Sequence, residues 1–104
     1  MKRLGLLLAL VCAPALAHDA KPTAMQPLGW KYGWECCNLM DCREVPFDAV
    51  EESSKGYVIR ATGEVIPYGD KRIKQSKDEY FHWCSKGGKA DSETICLYTP
   101  DRGF

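Results

Sequence analysis

The chain has 104 residues, with 14 basic and 14 acidic side chains, a formal net charge of zero, 45% hydrophobic residues and six cysteines. That balance excludes the strongly basic surface of a nucleic-acid binder and gives no reason for a membrane-surface partner. The length is that of one domain.

The chain opens with Lys2 and Arg3, then an apolar run over residues 4–11 that Pro14 ends, then Ala15-Leu16-Ala17. A basic start, a short apolar stretch and small residues at the cleavage positions form a secretory signal. The run is far shorter than the ~20 apolar residues of a membrane span. Residues 1–17 are therefore expected to be removed after Ala17, leaving a secreted or periplasmic product that does not span a membrane. The alternatives are a buried N-terminal helix and lipid attachment at Cys12. Val11 fits the second poorly, because the residue before a lipidated cysteine is Gly or Ala. Cleavage leaves 87 residues; Lys+Arg falls from 14 to 12 against 14 acids, a net charge of −2. So small a chain buries only ~60% of its unfolded surface, and disulfides are the usual remedy in exported proteins.

Residues 18–29, HDAKPTAMQPLG, hold two prolines and no apolar period. They read as a flexible leader, and residues 30–104 as the folded domain. Trp30, Tyr32 and Trp34 alternate with Lys31 and Gly33. If extended, their rings share one face. That face is either core or a stacking platform for a glycan or a partner's apolar side chain. Trp34, next to Cys36, is expected to pack inside, and Trp30, next to the leader, to be more exposed.

A short strand is expected over residues 42–45, ended by Pro46. Ser53-Ser54-Lys55-Gly56 is turn chemistry. Residues 57–61, YVIRA, are β-branched and aromatic and form the clearest strand; Thr62-Gly63-Glu64 should turn them back against Val65 and Ile66 in a hairpin. Residues 71–77, KRIKQSK, suit a solvated strand or loop, with a small anion site as the alternative. Residues 80–84, YFHWC, place Tyr80, His82 and Cys84 on one side of a strand and Phe81 and Trp83 on the other. A polar loop over residues 85–93 precedes a last strand, residues 94–99, TICLYT. No helical period and no repeat stand out. The fold class is small all-β, a meander, sandwich or barrel of short strands stapled by disulfides.

Five cysteines follow the signal: Cys36, Cys37, Cys42, Cys84 and Cys96. An odd count leaves one outside the bridges within a chain, and a dimer through it is possible. Extended backbone sends Cys36 and Cys37 to opposite faces, so their fates should differ. The favoured pairing joins Cys84 to Cys96 and Cys42 to Cys36 or Cys37. Its rival ties the Cys36-Cys37 pair to Cys84 and Cys96.

The assembled pattern is CC-x4-C-x-x-V-P, G-Y-V, I-P, F-H-x-C and C-L-Y. Cys36, Cys37, Cys42, Val45, Pro46, Gly56, Tyr57, Ile66, Pro67, His82, Cys84, Cys96 and Leu97 carry it. It resembles a group of small exported bacterial proteins of unknown function. The likeness covers most of residues 34–100 and implies export and fold, but no activity. The leader before the cysteine pair is longer here than in that group.

Three chemistries remain conceivable. The cysteines and His82 could supply zinc ligands, although no C-x-x-C knuckle is present. Cleavage after Ala17 would expose His18 as an N-terminal amine and imidazole, which could hold copper together with His82. His82 lies two residues from Cys84 on one strand face, so a thiolate–imidazole pair could exchange disulfides. No Ser-His-Asp arrangement, phosphate loop or paired-carboxylate signature stands out, and no cofactor is required. The leading expectation is a non-enzymatic domain that binds an envelope protein, a glycan or a small ligand. The alternative is a periplasmic metal-binding or thiol-redox protein.

Overall fold

A computed structural model describes residues 19–37 and 40–101. Residues 1–17, expected to be a signal peptide, His18 and the last three residues lie outside them. The elements run β1 (Asp19–Ala20), β2 (Trp30–Lys31), α1 (Trp34–Cys37), β3 (Met40–Val45), a 3-10 turn (Phe47–Ala49) and β4 (Val50–Glu52). Then come β5 (Tyr57–Ile59), β6 (Glu64–Ile66), β7 (Ile73–Gln75), β8 (Phe81–Lys86) and β9 (Thr94–Thr99). The chain is thus mostly strand, as its β-branched and aromatic runs dictate. Among the described residues no helix is long and apolar enough to cross a membrane.

Among the described residues the strands form two open sheets and a hairpin, with no closed barrel. The larger sheet has the order β3-β8-β9-β7, the smaller is β4-β5-β6, and β1 pairs with β2. The hairpin expected around Thr62-Gly63 is present, with Tyr57 opposite Ile66 and Val58 opposite Val65. At the edge of the larger sheet, β7 runs parallel to β9, which no simple meander does. The basic stretch therefore contributes an edge strand, where lysines discourage further pairing.

Strand β8 is central, and its alternation decides the layering. Its Phe81 and Trp83 join Val45, Val50, Ile59, Ile66 and Leu97 in one core. This core lies between the larger sheet and the smaller one. The opposite side of β8 carries Cys84, which packs with Cys36, Cys37, Cys42, Cys96, Tyr98, Trp30, Tyr32 and Ala20. The N-terminal hairpin and α1 cover that side. Both faces of β8 are buried, so this strand behaves like the middle layer of three.

A polar chain ties the two sheets. Trp83 donates from Nε1 to Thr94 Oγ1 at 2.8 Å, and Thr94 donates from Oγ1 to Glu64 Oε1 at 2.6 Å. The other Glu64 oxygen accepts from Arg72 at 2.8 Å, and Arg72 also donates to Asp70 Oδ2 at 2.8 Å. Hydrogen bonds from Arg72 hold the Asp70 carboxyl down at about 2. Because the Arg72 guanidinium is committed to two carboxylates, and Lys74 pairs with Glu35 at 3.8 Å, the basic stretch does not gather its charges into an anion site.

Candidate functional site

The segment expected to be a flexible leader is tied to the domain over its described part. Asp19 and Ala20 pair with Lys31 and Trp30, and Ala20 is buried. Between them, Thr23 and Gln26 make a turn, and Gln26 donates from Nε2 to the Lys77 carbonyl at 2.8 Å. The apolar residues of this turn, Leu28 above all, stay exposed. Composition missed the hairpin because its strands are two residues long and Ala20 is its sole core contribution on the leader side.

Trp30 and Tyr32 are buried, whereas Trp34 is 71% exposed. This reverses the expected division, and backbone geometry explains it. A strand turns side chains by 180° per residue, a helix by about 100°. The chain leaves the strand after Lys31 and enters α1 at Trp34, so the alternation stops before the third ring. The three rings do not share a face.

Trp30 meets Tyr32 at 5.0 Å, His82 at 5.0 Å and Tyr98 at 5.1 Å between ring centres, all edge to face. The polar tips of these rings converge on one carboxylate. Trp30 donates from Nε1 to Asp78 Oδ2 at 2.9 Å. His82 Nε2 lies 2.8 Å from Asp78 Oδ1, and His82 Nδ1 lies 2.8 Å from the Tyr32 hydroxyl. The Tyr80 amide and the Ser76 hydroxyl also donate to Asp78 Oδ1, at 2.8 and 3.1 Å. Both the Asp78 and His82 side chains are fully buried.

Burial alone would raise the Asp78 carboxyl. The hydrogen bonds from Trp30, His82 and the Tyr80 amide outweigh it and hold the group below the ordinary carboxylate range. Burial first, and the Asp78 charge second, push the Tyr32 phenol well above its usual value. An ionised carboxylate accepts hydrogen bonds and a protonated phenol donates one. The network therefore assigns Nε2–H of His82 toward Asp78, and His82 Nδ1 shares a hydrogen bond with the Tyr32 hydroxyl.

This Tyr32–His82–Asp78 chain has the connectivity of a nucleophile, base and orienting acid. The phenol is buried and shares a hydrogen bond with the imidazole, so the arrangement fastens the N-terminal layer to the sheet. Reading the sequence found His82 but missed Asp78 and its link to Tyr32. The signal available was the i, i+4 spacing of Asp78 and His82; the 50-residue separation of Tyr32 from His82 gives none.

Among the described residues two disulfides form, Cys36–Cys96 and Cys42–Cys84. The favoured Cys84–Cys96 bond is absent, although register sets those residues opposite each other. Cys84 has a second ladder neighbour, Cys42, on its other side, and bonds to it. Cys96 is then met from above by Cys36 on α1. The rival pairing is half correct, since the Cys36-Cys37 segment does reach Cys96. Cys84 is bridged, so it does not supply the thiolate expected beside His82. Cys37 lies outside both bridges and is fully buried; a dimer through it would require α1 to open.

Among the described residues no group of three or more His, Cys, Asp or Glu side chains could hold an ion. Both ring nitrogens of His82 are engaged, and His18 falls outside the described residues.

The exposed Trp34 sits on a hydrogen-bonded, disulfide-linked mount. The Gly33 amide donates to the Tyr98 hydroxyl at 2.9 Å, and the Gly33 carbonyl accepts from Cys36 and Cys37 at 3.0 and 3.1 Å. The Cys36–Cys96 bridge closes the mount. A cleft of about 210 Å³ is lined by Asp19, Lys21, Tyr32, Cys42, Arg43 and Glu44. Two cations and two anions share its walls, so it selects no sign of charge.

Comparison with protein-family models, with curated proteins and with solved structures finds no match.

Proposed function

We propose that the protein is an exported interaction domain that binds another protein of the cell envelope through Trp34. The observation that carries this reading is an indole 71% exposed on a turn fixed by a disulfide and by hydrogen bonds. Interface energy concentrates in aromatic anchors, and an anchor whose backbone is already ordered loses less entropy on docking. The signal pattern of residues 1–17, the two bridges and the likeness to small exported bacterial proteins support export. A glycan platform has less support, because burial of Trp30 and Tyr32 removes the row of rings it needs. Metal binding and thiol exchange have less again, given the engaged imidazole and the buried thiol.

The test is site-specific photo-crosslinking in the native cell. A photoreactive phenylalanine replaces Trp34 in one variant and Thr62, on an exposed turn, in another. A discrete adduct from position 34 and none from position 62 is the expected result. Equal labelling at both positions, or none at position 34, removes the proposal.

A further inference from the structure

Among the described residues the larger sheet ends at β7. Along a strand, the backbone groups of successive residues point to opposite sides, so an edge strand leaves every other residue unpaired. At β7 the Arg72 carbonyl accepts from the Leu97 amide, and the Ser76 amide donates to the Thr99 carbonyl, both at 2.9 Å. The Ile73 carbonyl and both backbone groups of Gln75 therefore face away from β9. Among the described residues these three groups have no hydrogen-bond partner. Two contacts bound the open stretch. The Ile73 amide donates to the Asp70 carbonyl at 3.1 Å, and the Lys77 carbonyl accepts from Gln26 at 2.8 Å. Gln75, between them, is exposed.

Charge decides what can fill this edge. Lys71 and Lys77 bracket it, are exposed, and form no ion pair among the described residues. Edge lysines disfavour a neutral or basic strand, a second copy of β7 included, whereas opposite charges on neighbouring strands attract. The edge also adjoins the exposed indole. Lys74 of β7 pairs at 3.8 Å with Glu35, the residue after Trp34. We propose that the partner docked at Trp34 supplies an extended acidic segment that adds to β7 as a further strand. In strand addition the main-chain hydrogen bonds give affinity; here carboxylates meeting Lys71 and Lys77 select the segment. The proposal rests on Trp34 being an anchor and adds the conformation and charge of what it anchors.

The test places the photoreactive phenylalanine at position 77 in the native cell and sequences the crosslinked peptide by mass spectrometry. A net-acidic peptide of another protein is expected. Gln75→Pro removes an outward N–H, a change that an edge strand tolerates, and should cut the adduct at least tenfold. Gln75→Ala should keep it, and Lys71→Glu should cut it at least threefold. Thermal melting establishes that each variant folds; if Gln75→Pro does not, the sequenced peptide and Lys71→Glu decide alone. An adduct at position 34 with none at position 77 overturns strand addition and leaves the Trp34 reading standing; no adduct at either removes both. Strand addition is also overturned by a neutral or basic crosslinked peptide or by a peptide of this chain itself. An adduct unchanged by folded Gln75→Pro, or by Lys71→Glu, overturns it equally.

Discussion

Trp30 and Trp34 stand four residues apart and have opposite fates. Trp30→Ala removes a buried indole and one donor to Asp78, so it should cost ~3–5 kcal/mol. Trp34→Ala removes an exposed ring and should stay within ~0.5 kcal/mol. Thermal melting of the two variants checks this, and equal losses would refute the placement of the rings. Asp78 gives a pH prediction. Its carboxyl titrates below the unfolded range of ~4, so folding favours the charged form. The associated stability is present above about pH 4 and is lost as pH falls through the lower folded value. Denaturant midpoints between pH 7 and pH 2 should therefore fall at the acid end. Asp78→Asn should flatten that fall while lowering the midpoint at neutral pH, because an amide cannot accept all the donors aimed at it. Asp70 contributes a similar slope through Arg72, so the comparison belongs in an Asp70→Asn background. The site was partly legible at this scale. Trp30, Tyr32 and His82 were all singled out in the sequence, yet their convergence on Asp78 depends on a hairpin folding back across 48 residues.

Elements were more legible than contacts. The strand TICLYT has the bounds its composition implies, and within YFHWC Phe81 and Trp83 part from Cys84 into two cores as expected, although the strand begins at Phe81 and Tyr80 lies against Phe47. What sequence did not show was α1, a single turn of four residues. A helix that short has no apolar period to read, and its cysteines and tryptophan do not favour it intrinsically. The turn between β4 and β5 was legible from Ser53 and Gly56, and the structure explains the glycine. Gly56 has φ 149°, and a Cβ there would run into the Ile66 carbonyl and the Pro67 backbone. Ser53 completes the turn by donating from Oγ to the Gly56 carbonyl at 2.7 Å. Gly63 also has positive φ but faces open space. Gly56→Ala should therefore destabilise clearly more than Gly63→Ala, for which about 1 kcal/mol is expected. Urea denaturation of the two variants tests the order; equal losses would show that the hairpin yields at Gly56 without strain.

For the whole molecule, covalent closure matters more than core size. The bridges span 60 and 42 residues, and on chain-entropy grounds each contributes about 4 kcal/mol. Full reduction should lower the melting temperature strongly; an unchanged curve in excess reductant would show the bridges to be incidental. Removing Cys36–Cys96 as a double serine variant should loosen α1 and broaden the Trp34 signal, while removing Cys42–Cys84 should leave Trp34 in place. The two rings are nested: Cys42–Cys84 lies wholly inside the loop that Cys36–Cys96 closes. Every peptide bond between Cys36 and Cys96 therefore belongs to at least one covalent ring. A protease that nicks the exposed turn at residues 53–56, or the loop at residues 87–93, produces no separate fragments. The nicked protein gains the mass of one water, keeps its strands side by side, and comes apart only when a reductant is added.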